Sequence, residues 1–177
     1  MPIFGPLVRV LLLTGQRKAK VGQMRWSDIV GNEWHIPREP REKGNPGTIT
    51  LPPMVVEIIN AQPRIDDSPF VFYGRSKHKI FNAYSQRKRE LDARLPPDMP
   101  SWVLHNLRRT ARKLMTRAKV STEIAELALG HSIKGIRGVY DDPTEYRSQV
   151  DDALLRVSIE IEKILNPDAK VIAFPTR

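Results

Sequence analysis

Apolar positions along the chain fall into six helical runs and one region of short alternating segments. From Ile3 to Leu13 the hydrophobic residues are nearly continuous, broken by Arg9, and the run stops at Thr14-Gly15, which predicts a buried helix. A core helix starting so close to Met1 leads us to expect further chain upstream in the full protein. Between Trp26 and Leu51 the period changes. Ser27–Val30 and Trp34–Pro37 are strand-like runs around Gly31-Asn32, and Thr48–Leu51 is a third after a Pro/Gly-rich loop, so a small antiparallel sheet is expected. Pro53–Ala61 returns to a helical pattern, with proline early and Val55, Val56, Ile58 and Ile59 on the apolar side. Gln62–Pro69 reads as a loop.

The second half is more polar but still periodic. Lys79–Leu95 reads as a long basic helix, with Ile80, Phe81, Tyr84 and Leu91 available for packing and Pro96-Pro97 ending it. In His105–Lys119 the residues Leu107, Ala111, Leu114, Met115 and Ala118 make one helical stripe. Ser121 is placed to cap a short helix ending at Leu129 and closed by Gly130, and a last helix is expected from Thr144 to Leu165, before Pro167. The fold class is therefore mainly α with a small three-stranded antiparallel sheet (α+β), in one domain.

Composition changes this picture only through charge. Hydrophobic residues make up 40% of the 177 and charged residues 28%, as in ordinary soluble domains, and no segment approaches the ~20 apolar residues of a membrane span. The net charge is +9, and thirteen basic against three acidic residues lie between Arg75 and Lys119, so the remainder is close to neutral. Such a block suits a polyanion, because each neutralised phosphate releases condensed counterions; a solvated lysine-rich face is the alternative. With no cysteine the chain has no disulfide, thiolate or Cys-based zinc chemistry, which fits a reducing cytoplasm.

Several residues could carry chemistry. His105, Arg108 and Arg112 share one helical face at i, i+3 and i+7, so an imidazole and guanidinium forks project together while the apolar stripe goes to the core. Taken alone the pair is also what an exposed helix start presents. His131 follows Gly130 and could either act on a substrate or cap the helix. Tyr140, nine residues after His131, could be a nucleophile or a buried tyrosine with a satisfied hydroxyl. A phenol with a pKa of about 10 needs cationic and imidazole neighbours to act at neutral pH.

The order of these residues carries a resemblance. Thr14-Gly15-Gln16-Arg17, then Trp26-Ser27-Asp28-Ile29, then His105-Asn106-Leu107-Arg108-Arg109-Thr110-Ala111, then Leu129-Gly130-His131, then Tyr140 resemble the tyrosine recombinase (phage integrase) family, in particular its C-terminal catalytic domain. The resemblance implies a catalytic set of Arg17, Lys43, His105, Arg108, His131 and the nucleophile Tyr140. Arg17 and Arg108 would hold the scissile phosphate, His131 would hydrogen-bond it, His105 would assist proton transfer, and Lys43 would protonate the departing 5′-oxygen. It further implies a site-specific recombinase working through a 3′-phosphotyrosyl bond, for a prophage or mobile element, without metal or other cofactor.

The expected partner is double-stranded DNA carrying attachment sites, met by Arg38, Arg41, Lys77, Lys79, Arg87, Lys88, Arg109 and Arg112. Arg38 and Arg41 share the loop of Lys43, and any of the three can serve as a phosphate contact. The resemblance also implies a tetramer on DNA from a protein monomeric when free, accessory DNA-bending or directionality proteins, no membrane association and a cytoplasmic location. Residues 1–165 correspond to the catalytic domain, the family's N-terminal core-binding domain falls outside this chain, and 166–177 form a tail suited to exchange between protomers. The chain departs from the family at Lys20, where members usually carry an acidic residue. Asp28 is the candidate to replace that carboxylate, with Lys20 otherwise turned to solvent or DNA. Weighed against the integrase are a type IB topoisomerase and a degenerate DNA-binding remnant. A metal-dependent hydrolase on His35, His78, His105 and His131 is disfavoured by their spacing.

Overall fold

The computed structural model describes residues 3–42, 44–76, 78–132 and 146–167. Seven helices and a small sheet are formed by these residues: α1 (Phe4–Thr14), α2 (Lys18–Gly22), β1 (Ile29–Val30), β2 (Glu33–His35), β3 (Thr48–Thr50), α3 (Pro53–Asn60), α4 (Tyr84–Asp92), α5 (Leu104–Arg117), α6 (Thr122–Ala128) and α7 (Arg147–Leu165). A 3-10 turn over Trp26–Asp28 precedes the sheet. The strands are antiparallel in the order β1-β2-β3, with Ile29 opposite Trp34 and Trp34 opposite Ile49. Among the described residues, no helix is long and apolar enough to cross a membrane.

Helix α1 is the centre of the molecule. Phe4, Leu7, Val10 and Leu11 are buried, as its nearly unbroken apolar sequence requires, and the helix packs against α2, α3, α5 and α7. Trp34 and Ile49 turn the inner face of the sheet into the same core, which Met115 of α5 and Ala153, Leu154 and Val157 of α7 complete. The start of α7 is tied to the sheet by polar bonds. Asp151 accepts from the Thr50 N–H and hydroxyl, both at 2.7 Å, while Arg147 pairs with Glu33.

Gly15 shows how tightly α1 is docked. Its φ of +63° ends the helix in the left-handed region, and a Cβ there would lie 2.7 Å from Leu129 Cδ2 and 3.2 Å from Ala111 Cβ. Only glycine combines that turn with that approach. Helix α6 ends in a Schellman turn: His131 N–H donates to Glu126 O at 2.9 Å and Gly130 N–H to Leu127 O at 2.7 Å, with Gly130 at φ +70°.

Two local expectations are corrected. The basic helix occupies Tyr84–Asp92, not Lys79–Leu95, because Tyr73 and Ile80 form an antiparallel bridge. Phe81 N–H donates to Phe72 O at 3.2 Å and Gly74 N–H to Lys79 O at 2.7 Å, so residues 79–81 are committed to that pairing before a helix can start. At the sheet, Ser27 and Asp28 belong to the 3-10 turn rather than to a strand; Asp28 Oδ2 accepts from Arg25 N–H at 3.0 Å. The start of the last helix at Thr144 lies outside the described residues.

Candidate functional site: a cleft lined by arginine and histidine

Four of the six residues expected to be catalytic border one cleft of about 620 Å³: Arg17, His105, Arg108 and His131. Each arrives from a different local device. Arg17 is the N-cap of α2, set by the turn after Gly15, and Gln16 fastens that turn to α6 by donating from Nε2 to Ala128 O at 2.7 Å. Arg108 leaves the second turn of α5, and His131 follows the glycine turn that ends α6. His105, in the first turn of α5, is exposed at the rim.

The expectation that Arg108 projects away from the apolar stripe is corrected. Arg108 is 7% exposed and lies with Ala111 and Met115 on the buried side of α5. Its Nη1 donates to Gly15 O at 2.9 Å and its Nη2 to His131 Nε2 at 2.8 Å. A guanidinium has no acceptor, so Nε2 accepts, and the imidazole proton sits on Nδ1, which donates to Glu126. Glu126 also accepts from Arg112 Nε at 2.9 Å. Hydrogen bonds from His131 and Arg112 hold the Glu126 carboxyl below the ordinary value of 4.5 against the opposing effect of burial. Burial, and then the nearby charge of Arg17, draw the Arg108 guanidinium down to about 10, with Glu126 opposing. It remains charged at neutral pH.

Arg17 closes the other side. Its Nη1 donates to Gly44 O at 3.0 Å and its Nη2 to Gly130 O at 3.1 Å, so one guanidinium bridges the β2–β3 loop and the α6 turn. The two backbones touch: a Cβ on Gly44 would lie 2.6 Å from Gly130 O. Lys20 does not turn to solvent, and the carboxylate beside Arg17 is that of Glu42 rather than Asp28. Lys20 is 7% exposed and its ammonium pairs with Glu42 at 2.9 Å. Asp28 is occupied with its own turn, whereas the β2–β3 loop folds back over α2.

Sequence reading gave Tyr84 only a packing role and missed Trp102 in the wall of the cleft. Tyr84 and Trp102 line it, with Lys18 Nζ 4.7 Å from the Tyr84 ring centre and Lys88 Nζ 4.1 Å from that of Trp102. Trp102 lies 18 residues from Tyr84, beyond the end of α4, where no local spacing links the two. Burial pushes the Tyr84 phenol up to about 12.

Of the cations expected to meet DNA, Lys88 lines the cleft. Arg38 and Arg41 are exposed on the β2–β3 loop, Lys79 lies in the turn before α4, and Arg109 is exposed on α5. Arg87 pairs with Glu90 at 2.7 Å, Lys88 with Asp92 at 2.6 Å, and Arg112 with Glu126. Lys43, Lys77 and Tyr140 lie outside the described residues. His35 bonds Thr48 and His78 bonds Asp67 O, and neither lines the cleft of His105 and His131; among the described residues no three His, Cys, Asp or Glu group to hold a metal.

Two guanidinium groups of different helices and an imidazole facing one cleft make a donor-rich pocket for a tetrahedral anion, built into a helical domain with a small sheet. The phage integrase family model matches residues 6–146, and the chain belongs to that family. Over 136 residues it is 32% identical to the prophage integrase IntF of Escherichia coli (strain K12), a match taking in 73% of this chain and 28% of IntF. The chain thus spans under a third of that relative's length. A solved structure of the XerH site-specific recombinase bound to difH substrate, in a pre-cleavage complex, aligns with 90% of this chain and 44% of its own, at 14% identity and a TM-score of 0.49.

Proposed function

We propose that this chain is the catalytic part of a site-specific DNA recombinase that cuts and rejoins double-stranded DNA for integration or excision of a prophage or mobile element. The observation that carries the reading is the convergence of Arg17, Arg108 and His131 on one cleft in a member of the phage integrase family. In the cleavage step Tyr140 Oη attacks the scissile phosphorus; the Oη–P bond forms as the P–O5′ bond breaks. The phenolic proton leaves toward His105 and the departing 5′-oxygen takes a proton from Lys43, a contribution of about 10²–10⁴ in rate. Arg17 and Arg108 donate to the non-bridging oxygens as charge builds on them, and His131 adds a third bond by taking a proton on Nε2 in place of the Arg108 contact while Glu126 keeps Nδ1–H. Rejoining runs the same exchange with a new 5′-hydroxyl, so one phosphoester replaces another and no ATP is consumed.

Arg38, Arg41, Lys77, Lys79, Arg87, Lys88, Arg109 and Arg112 are assigned to backbone contacts that position the duplex. The working form is a tetramer on DNA, assisted by DNA-bending or directionality proteins, in the cytoplasm, with residues 166–177 exchanged between protomers. Lys20, which would argue for a degenerate remnant, is neutralised by Glu42, and this supports an active site. The test is incubation with nicked duplexes carrying attachment sequences, followed by denaturing gels. A covalent protein–DNA band that survives EDTA is expected. Relaxation of any supercoiled plasmid, with no site requirement, would place the chain with type IB topoisomerases instead.

A further inference from the structure

The cation at position 20 is buried one helical turn from Arg17, and both lean on the same carboxylate. Glu42 Oε2 meets Lys20 Nζ at 2.9 Å, while Glu42 Oε1 meets Arg17 Nη1 at 3.4 Å. Glu42 is 11% exposed and is itself fixed: Oε2 also accepts from Glu39 N–H at 3.1 Å and from Asn45 Nδ2 at 3.3 Å. Lys20 adds a bond to Pro37 O at 2.5 Å, so the ammonium grips both the carboxylate and the start of the loop. A buried ammonium is strongly unfavourable without such a partner.

The consequence lies in the donors that remain. Arg17 has five N–H donors. Both on Nη1 go to Glu42 and Gly44 O, and one on Nη2 goes to Gly130 O. Because Gly44 and Gly130 lie against each other, we place their two carbonyls at the Nη1–Nη2 end of the guanidinium, which among the described residues leaves Nε–H and the adjoining Nη2–H side by side on one edge of the plane. That edge is the fork that matches two oxygens of a phosphate. Losing the Glu42 bond leaves Nη1 on Gly44 O alone, without its charged partner, and loosens the plane about the two backbone carbonyls.

We propose that Glu42, held in place by buried Lys20, is a positioning residue for Arg17, setting the guanidinium plane so that its side-on fork faces the anion in the cleft. This rests on the recombinase reading for its catalytic consequence, but not for the clasp itself. Two readouts test it. In side-chain ¹⁵N spectra of the free protein, with Arg17 assigned through Arg17→Lys, separate and slowly rotating Nη signals are expected, collapsing to averaged ones in Glu42→Gln. In single-turnover cleavage at saturating DNA, Glu42→Gln is expected to lose about tenfold or more in rate with DNA affinity unchanged or tighter. Lys20→Glu alone, which sets two carboxylates together, is expected to be as poor. The double variant Lys20→Glu/Glu42→Gln restores one carboxylate and is expected to recover to within about threefold of the wild type. Wild-type cleavage by a folded Glu42→Gln, a double variant no better than Glu42→Gln, or unchanged Arg17 signals would overturn the proposal. Wild-type protein that forms no adduct on its attachment sequence counts against the recombinase reading, and the Arg17 signals still decide on the clasp.

Discussion

Arg108 and His131 meet at 2.8 Å through Nη2 and Nε2, and the far nitrogen of the same imidazole meets Glu126. The chain of donors runs Arg108 to His131 to Glu126, so the histidine is oriented from both sides before any substrate arrives. Glu126→Gln keeps the size of the side chain but removes its charge. Since a hydrogen bond to a charged group contributes about 1.5–3 kcal/mol, a fall of about 10- to 150-fold in cleavage is expected, with DNA affinity retained. Single-turnover rates beside filter-binding curves measure both. Equal loss of binding would show that Glu126 supports the DNA surface rather than His131.

Arg108→Ala should separate chemistry from binding more sharply. On the recombinase reading the variant removes one transition-state donor, worth about 10²–10³ in rate, while the other cations assigned to phosphate contacts stay in place. It also strands Gly15 O, a buried acceptor, at a cost of about 1–3 kcal/mol in stability, readable by urea denaturation. Affinity that collapses along with cleavage would mean that Arg108 anchors DNA instead.

Gly15→Ala tests the docking of α1 behind the site. The new Cβ would press on Leu129 at 2.7 Å, in a backbone region that L-residues avoid. A destabilisation of about 1–3 kcal/mol is expected from overpacking alone, measured by equilibrium unfolding. Because Gly15 O holds Arg108, cleavage by the folded fraction should fall as well.

Acid should loosen both clasps. Glu42 and Glu126 are each held below the ordinary 4.5; in Glu42 burial opposes the shift, but bonds from Lys20, Glu39 N–H and Asn45 outweigh it. A carboxyl depressed on folding contributes stability above its unfolded pKa and loses it as the pH drops through the folded value. Thermal melts should therefore hold from neutrality down to about pH 4.5 and decline below it, and Glu42→Gln should show a shallower decline.

Much of the fold was legible because α1, α3, α5 and α6 each carry a strong period and a recognisable stop. Helix α4 was placed five residues too early because Ile80 and Phe81 fit a helical stripe as well as they fit the bridge to residues 72 and 73, and local pattern does not distinguish the two. At the site, Arg17, His105, Arg108 and His131 were found through ordered spacing. Glu42 and Glu126 were not, since each acts across a turn or between elements, where sequence distance says little. Arg108 was read as outward-facing because a charge on a helix normally is; a backbone carbonyl and an imidazole inside the fold make its burial acceptable.

The account rests on which tyrosine forms the bond to DNA. Tyr84 borders the same cleft, but partial burial pushes its phenol up to about 12, which makes it a poor nucleophile. Tandem mass spectrometry of the proteolysed protein–DNA adduct decides between them. The predicted result is a nucleotide on the peptide containing Tyr140, with adduct formation intact in Tyr84→Phe and absent in Tyr140→Phe. A nucleotide on Tyr84 or any other residue, or an adduct that persists in Tyr140→Phe, would contradict the account.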